Sequence, residues 1–164
     1  MLRDKSLIPL SHQHQRALAL CVRIDRAQPI PDGDLQAWQA EIEQHFEQEI
    51  KIHFAAEESV ILPAAAKFPE LVPLVEELIS EHASLRRLFC QPELRKMSAE
   101  SLPDFAKQLS AHIRKEERQL FERMQQLMNA EQLAHLESQL RVALTGAAQS
   151  CNLPNEITKL KPAR

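Results

Sequence analysis

The sequence predicts an all-α protein: an antiparallel up-down four-helix bundle with an extra C-terminal helix. Three observations point there. The 164-residue chain has only two glycines and no tyrosine, a composition that favours helices and leaves hairpins without their usual turn residues. Apolar residues recur at helical spacing in five stretches separated by proline-bearing or polar breaks. One pattern occurs twice, as His53-Phe-Ala-Ala-Glu57-Glu58 and as His112-Ile-Arg-Lys-Glu116-Glu117.

At this length a single domain with one sizeable core is expected over residues 1–150, followed by a loosely ordered tail over 151–164. The net charge of −3 is mild, and no basic stripe marks a nucleic-acid partner. No apolar run is long enough to span a bilayer and no signal-peptide core opens the chain, so a cytoplasmic protein without membrane contact is expected. Cys21, Cys90 and Cys151 form no C-x-x-C pair and are odd in number, which argues against a disulfide framework. Cys21 and Cys90 sit in apolar patterns and read as buried free thiols.

Taken in order, residues 1–10 read as an extended lead-in containing Pro9, and Ser11 as the N-cap of a helix running to about Ala27. At about 100° per residue, Leu10, Ala17, Leu18 and Cys21 share a face with His14, whereas His12 points to water. The breaker-rich segment Gln28-Pro-Ile-Pro-Asp32-Gly-Asp34 is a loop, and Asp32 or Asp34 is a candidate cap for a second helix reaching about Lys67. Ile42, Phe46, Ile50, Val60 and Ala64 form its apolar stripe. His53 lies within that stripe and Glu57 at its inner edge, while Glu58 points away. His45, flanked by Glu41 and Glu49, reads as part of a solvated face, and Pro63 is expected to kink or weaken the last turns. The third helix runs from about Glu70 to Phe89, with Leu71, Val75, Leu78, Ile79, Leu85 and Phe89 buried around His82. The fourth is capped by Ser98 or Ser101, with Leu102, Phe105, Leu109, Ile113, Leu120 and Leu127 inward, His112 and Glu116 at the stripe's edge and Glu117 leaning away. Asn129 caps a fifth amphipathic segment to about Ala148, and His135 on it faces solvent.

On a helix, residues i and i+4 share a face, so each repeat presents an imidazole beside a carboxylate. Four helices thus supply inward histidines, His14, His53, His82 and His112, and two of them add Glu57 and Glu116. An ionised carboxylate in an apolar stripe is costly unless a cation compensates it. Four imidazoles and two carboxylates without a thiolate suit iron, zinc, copper or nickel, and a carboxylate can bridge two ions. Two bridging glutamates leave each ion about two nitrogens and two oxygens. The open positions suit a solvent bridge and a small ligand such as dioxygen or nitric oxide.

These residues resemble the hemerythrin-like (HHE cation-binding) domains over about residues 7–128. The resemblance rests on Leu10-Ser-His-Gln-His14, His53-x-x-x-Glu57-Glu58, Glu81-His82 and His112-x-x-x-Glu116-Glu117 followed by Leu120-Phe121. It implies a left-handed four-helix bundle around a non-heme di-iron centre with a bridging oxo or hydroxo group. The implied ligands are His14, His53, Glu57, His82, His112 and Glu116, with zinc or manganese as substitutes for iron. The chain departs from the oxygen-carrying hemerythrins in two places. Arg86 stands where they have a second histidine one turn after the helix-three histidine, and the His112-to-Glu116 spacing replaces a longer His-to-Asp spacing. A sensor of oxygen or nitric oxide, an iron-homeostasis or stress-response module and a di-iron redox protein all fit this pattern. A ferritin-like enzyme is disfavoured, because no Glu-x-x-His occurs in the chain. A metal-free helical scaffold or partner-binding protein is the remaining alternative.

Overall fold

Proline opens three of the long helices. Pro9, Pro73 and Pro103 each occupy a first helical turn, where the missing N–H would have no intrahelical partner and φ is already helical. In the computed structural model, which describes residues 2–150, helix α1 is Ile8–Arg26. It begins before Ser11 because Pro9 belongs to its first turn rather than to a lead-in. The Ser11 hydroxyl does not cap it and donates instead to Glu117 Oε1 at 2.7 Å. Helix α2 is the continuous run 35–65, made of Leu35–His45, Lys51–Ala56 and Leu62–Ala65 with π-helical turns at Phe46–Ile50 and Glu57–Ile61. Neither Asp32 nor Asp34 caps it through a side chain; both lie in a 3-10 turn before it. Pro63 does not end this helix, since it falls in the first turn of the piece that follows the second π-turn.

Helix α3 is Val72–Phe89 and is followed by the short α4, Gln91–Lys96. Helix α5 covers 102–127, with a π-turn at Glu116–Leu120 between Leu102–Lys115 and Phe121–Leu127. Helix α6 is Ala130–Ser150. Its start matches the expected Asn129 cap: Asn129 Oδ1 accepts from the Gln132 N–H at 2.9 Å, and Gln132 Oε1 accepts from the Asn129 N–H at 2.9 Å, a reciprocal capping box. The expected tail and Cys151 lie outside the described residues. No described helix is long and apolar enough to cross a membrane.

The apolar interior is divided in two. One cluster joins Leu20 and Ile24 of α1, Ile42 and Phe54 of α2, Leu85 and Phe89 of α3, and Phe105 and Leu109 of α5. The other joins Leu10 of α1, Ile61 and Leu62 of α2, Val75 and Leu78 of α3, Phe121 and Met124 of α5, and Leu136 and Leu140 of α6. Consecutive long helices contribute opposite halves to each cluster. Helix α6 packs along α2 over Lys51–Ala56 and Glu57–Ile61. Between the clusters lies the stretch of each long helix that carries the inward histidines.

Three expectations for single residues change. Ile79 is 48% exposed rather than core. Cys90 is exposed at the end of α3, while Cys21 is buried and burial pushes its thiol up to about 11. His45 is half-buried rather than solvated; burial lowers its pKa, and its Nε2 has no hydrogen-bond partner.

Candidate metal centre

Six side chains fill the layer between the apolar clusters. His14, His53, Glu57, His82, His112 and Glu116 are each no more than 2% exposed. They arrive from α1, α2, α3 and α5, so the periodicity that aimed each one inward also brings them to one level. The imidazoles meet through Nε2. His14 Nε2 lies 3.1 Å from Glu116 Oε2 and 3.7 Å from Glu57 Oε1, and His53 Nε2 lies 3.1 Å from Glu57 Oε1. His82 Nε2 lies 3.4 Å from both Glu57 Oε2 and Glu116 Oε1, and His112 Nε2 lies 3.3 Å from Glu116 Oε1. Each carboxylate is therefore split. One oxygen faces the His14 and His53 pair, the other the His82 and His112 side.

This geometry fits cations. Two donors each ~2.1 Å from a common ion stand about 3.0 Å apart at a right angle and about 3.4 Å apart at the tetrahedral angle. Most of the observed separations are of that size. His14, His53, Glu57 and Glu116 form one group able to hold an ion, and His82, His112 and Glu116 form a second. Both oxygens of Glu57, both of Glu116, and Nε2 of His82 and His112 are buried without a hydrogen-bond partner. Leaving one buried polar atom unsatisfied costs about 1–3 kcal/mol and more when it is charged. Six such atoms converging on one point call for compensation by a cation or, without one, by protons held between the imidazoles and the carboxylates.

The opposite edge of each ring is fully engaged. His14 Nδ1 donates to Glu117 Oε1 at 2.7 Å, His53 Nδ1 to Gln13 Oε1 at 2.8 Å, His82 Nδ1 to Glu58 Oε1 at 2.9 Å and His112 Nδ1 to Glu81 Oε2 at 2.7 Å. An acceptor on Nδ1 fixes the proton there and turns the Nε2 lone pair inward, the orientation a metal-ligating histidine requires. Cations hold the acceptors in turn. Arg3 bonds Glu117 Oε2 at 2.5 Å, Arg86 bonds Glu58 Oε1 at 2.6 Å, and Lys115 pairs with Glu81. Phe121 stacks on His14 under the Arg3 guanidinium, and Phe54 stacks on His82 under that of Arg86. The two halves thus repeat one design.

The charges are strongly coupled. Burial pulls the Glu116 carboxyl up, but His112, His14 and His82 outweigh it and hold the group well below its ordinary value. Glu57 is lowered as well, with burial and Glu116 opposing His53 and His82. Burial alone would lower the histidines. Facing Glu116 and Glu117, His14 is instead raised to about 10; facing Glu116 and Glu57, His82 is raised to about 10; and facing Glu116 and Glu81, His112 is raised to about 9. Without metal, protons fill part of the role of the cations.

A family model of the hemerythrin HHE cation binding domain matches residues 9–124. The chain belongs to the hemerythrin family. No curated protein and no solved structure matches it. The hemerythrin domain binds metal cations, and the buried His/Glu cluster of this chain could hold them.

The acceptors behind the rings of this hemerythrin domain are not legible in the sequence. Glu58 and Glu117 were expected to point away from the centre. They do leave their own helix's inner face, but they reach the histidine of a neighbouring helix. The second glutamate of each repeat is the only signal that could have found them. Helical spacing on a single wheel cannot show Gln13, Glu81 or Arg3 in this role. The Arg86 head group is engaged by Glu58 and Phe54. His12 and His135 are exposed, as expected. A groove of about 310 Å3 is lined by Glu81, Leu85, Gln108, Ala111 and His112, whereas a larger one of about 550 Å3 near Cys90 shares no residue with the cluster.

Proposed function

We propose that this hemerythrin domain holds two iron ions as a non-heme di-iron centre and uses it to bind or sense dioxygen, nitric oxide or iron itself. One observation carries the reading: two buried carboxylates each divide their oxygens between two histidine pairs, with every Nδ1 proton fixed outward. One ion would take His14 and His53, the other His82 and His112, and Glu57 and Glu116 would bridge them. Zinc or manganese would fit the same donors. Each position receives about four protein donors, fewer than the six that iron accepts. When bound, a di-iron pair supplies redox chemistry and open positions for a small diatomic ligand. The protein's part is to orient the imidazoles through Glu117, Gln13, Glu58 and Glu81 and to exclude bulk water with Phe54 and Phe121.

Arg86 in place of a further histidine leaves two imidazoles per ion, which favours sensing or redox response over reversible oxygen carriage. The test is anaerobic reconstitution with ferrous iron followed by metal analysis and exposure to air. About two irons per chain and new near-ultraviolet absorption are expected. A protein that retains no iron after this treatment refutes the reading.

A further inference from the structure

We propose that the two cation positions are unequal and that Gln13 sets the difference, making the His14/His53 position the weaker and the later filled. This rests on the two-ion reading above. Three of the four rings are backed by an ionised carboxylate that a cation holds in place: His14 by Glu117 with Arg3, His82 by Glu58 with Arg86, and His112 by Glu81 with Lys115. His53 alone is backed by a neutral amide, the Gln13 side chain at 2.8 Å. A carboxylate on Nδ1–H draws the proton toward itself and makes Nε2 a stronger donor, and outer partners of this kind change metal affinity by about 10–100-fold. An amide oxygen polarises the ring less. Each bridging carboxylate turns one oxygen toward each position, so neither position is left without one. The His82/His112 position has two carboxylate-backed rings and the His14/His53 position only one. Gln13 is a positioning residue that acts through His53 and touches no ion.

The experiment titrates metal-free protein with Co2+, following its ligand-field absorption, and measures release of each ion to a chelator. Two neighbouring cations repel and would bind in steps at any such pair, so the variants carry the assignment. Gln13→Glu should tighten the weaker step by about tenfold and leave the tighter step unchanged. Glu81→Gln should weaken the tighter step by about 10–100-fold and bring the two closer. The helical content of the metal-free variants, read by far-ultraviolet circular dichroism, should match that of the parent, separating a donor effect from simple loss of structure. If Gln13→Glu changes the tighter step, or changes neither, the proposal is overturned while the two-ion reading stands. If the parent protein binds no Co2+ at all, the two-ion reading fails and this inference falls with it.

Discussion

Glu116 turns one carboxylate oxygen toward His14 and the other toward His82 and His112. Replacing it with alanine removes a donor from both positions at once, whereas His112→Ala removes a donor from one. Glu116→Ala should therefore abolish iron loading, and His112→Ala should leave about one iron per chain, both read by elemental analysis. The titration of the site gives a second prediction. His14, His82 and His112 are raised to about 10, 10 and 9, so near neutral pH the metal-free cluster carries protons that a cation must displace. In the metal-free protein these groups add stability that is fully present below their unfolded value of 6.5 and lost as pH rises through 9 to 10. Metal binding has the opposite sign: it strengthens with pH up to that range, by about tenfold per unit for each proton displaced. Calorimetry in buffers of different ionisation enthalpy should show net proton release at pH 7. Proton uptake, or no pH dependence, would contradict the assignment.

Among the elements, α2 and α5 repeat one device. In each, the ligand-type glutamate begins a π-turn, Glu57–Ile61 in one and Glu116–Leu120 in the other. Such turns insert one residue and shift the following face, and they gather at functional sites. Glu57 and Ile61, the two ends of the first of these turns, are both fully buried. No residue type announces a π-turn, so this was not legible from composition or spacing. The inward aim of His14, His53, His82 and His112 was legible, because a burial stripe at 3.6-residue spacing decides it within one helix. What lay across the gap between helices was not, which is why the reach of Glu58 and Glu117 to a neighbouring helix's histidine was not foreseen. Pro9, expected in a lead-in, sits instead in the first turn of a helix, which accepts proline. Helix α6 offers a test at this scale. Asn129→Ala removes the reciprocal cap with Gln132 and should cost about 1 kcal/mol. That lowers the melting temperature by about 2–4 °C without changing the iron content. Loss of iron in this variant would show that α6 does more than cover α2.

For the molecule as a whole, the buried His/Glu layer interrupts what would otherwise be one apolar core. The two clusters meet across a layer of buried imidazoles and carboxylates whose inward atoms lack well-formed hydrogen bonds. A cation that binds only the folded chain adds stability according to its excess over the dissociation constant, about 2.7 kcal/mol at a hundredfold excess. The loaded protein should melt several degrees above the metal-free one, and a chelator should remove the gain; equal melting with and without metal would favour the scaffold alternative. The central claim is best tested by diffraction from iron-loaded crystals at the iron absorption edge. Two anomalous peaks about 3.5–4 Å apart are predicted between Glu57 and Glu116, one beside His14 and His53 and the other beside His82 and His112. No peak in that layer, or iron bound only elsewhere on the chain, would contradict it.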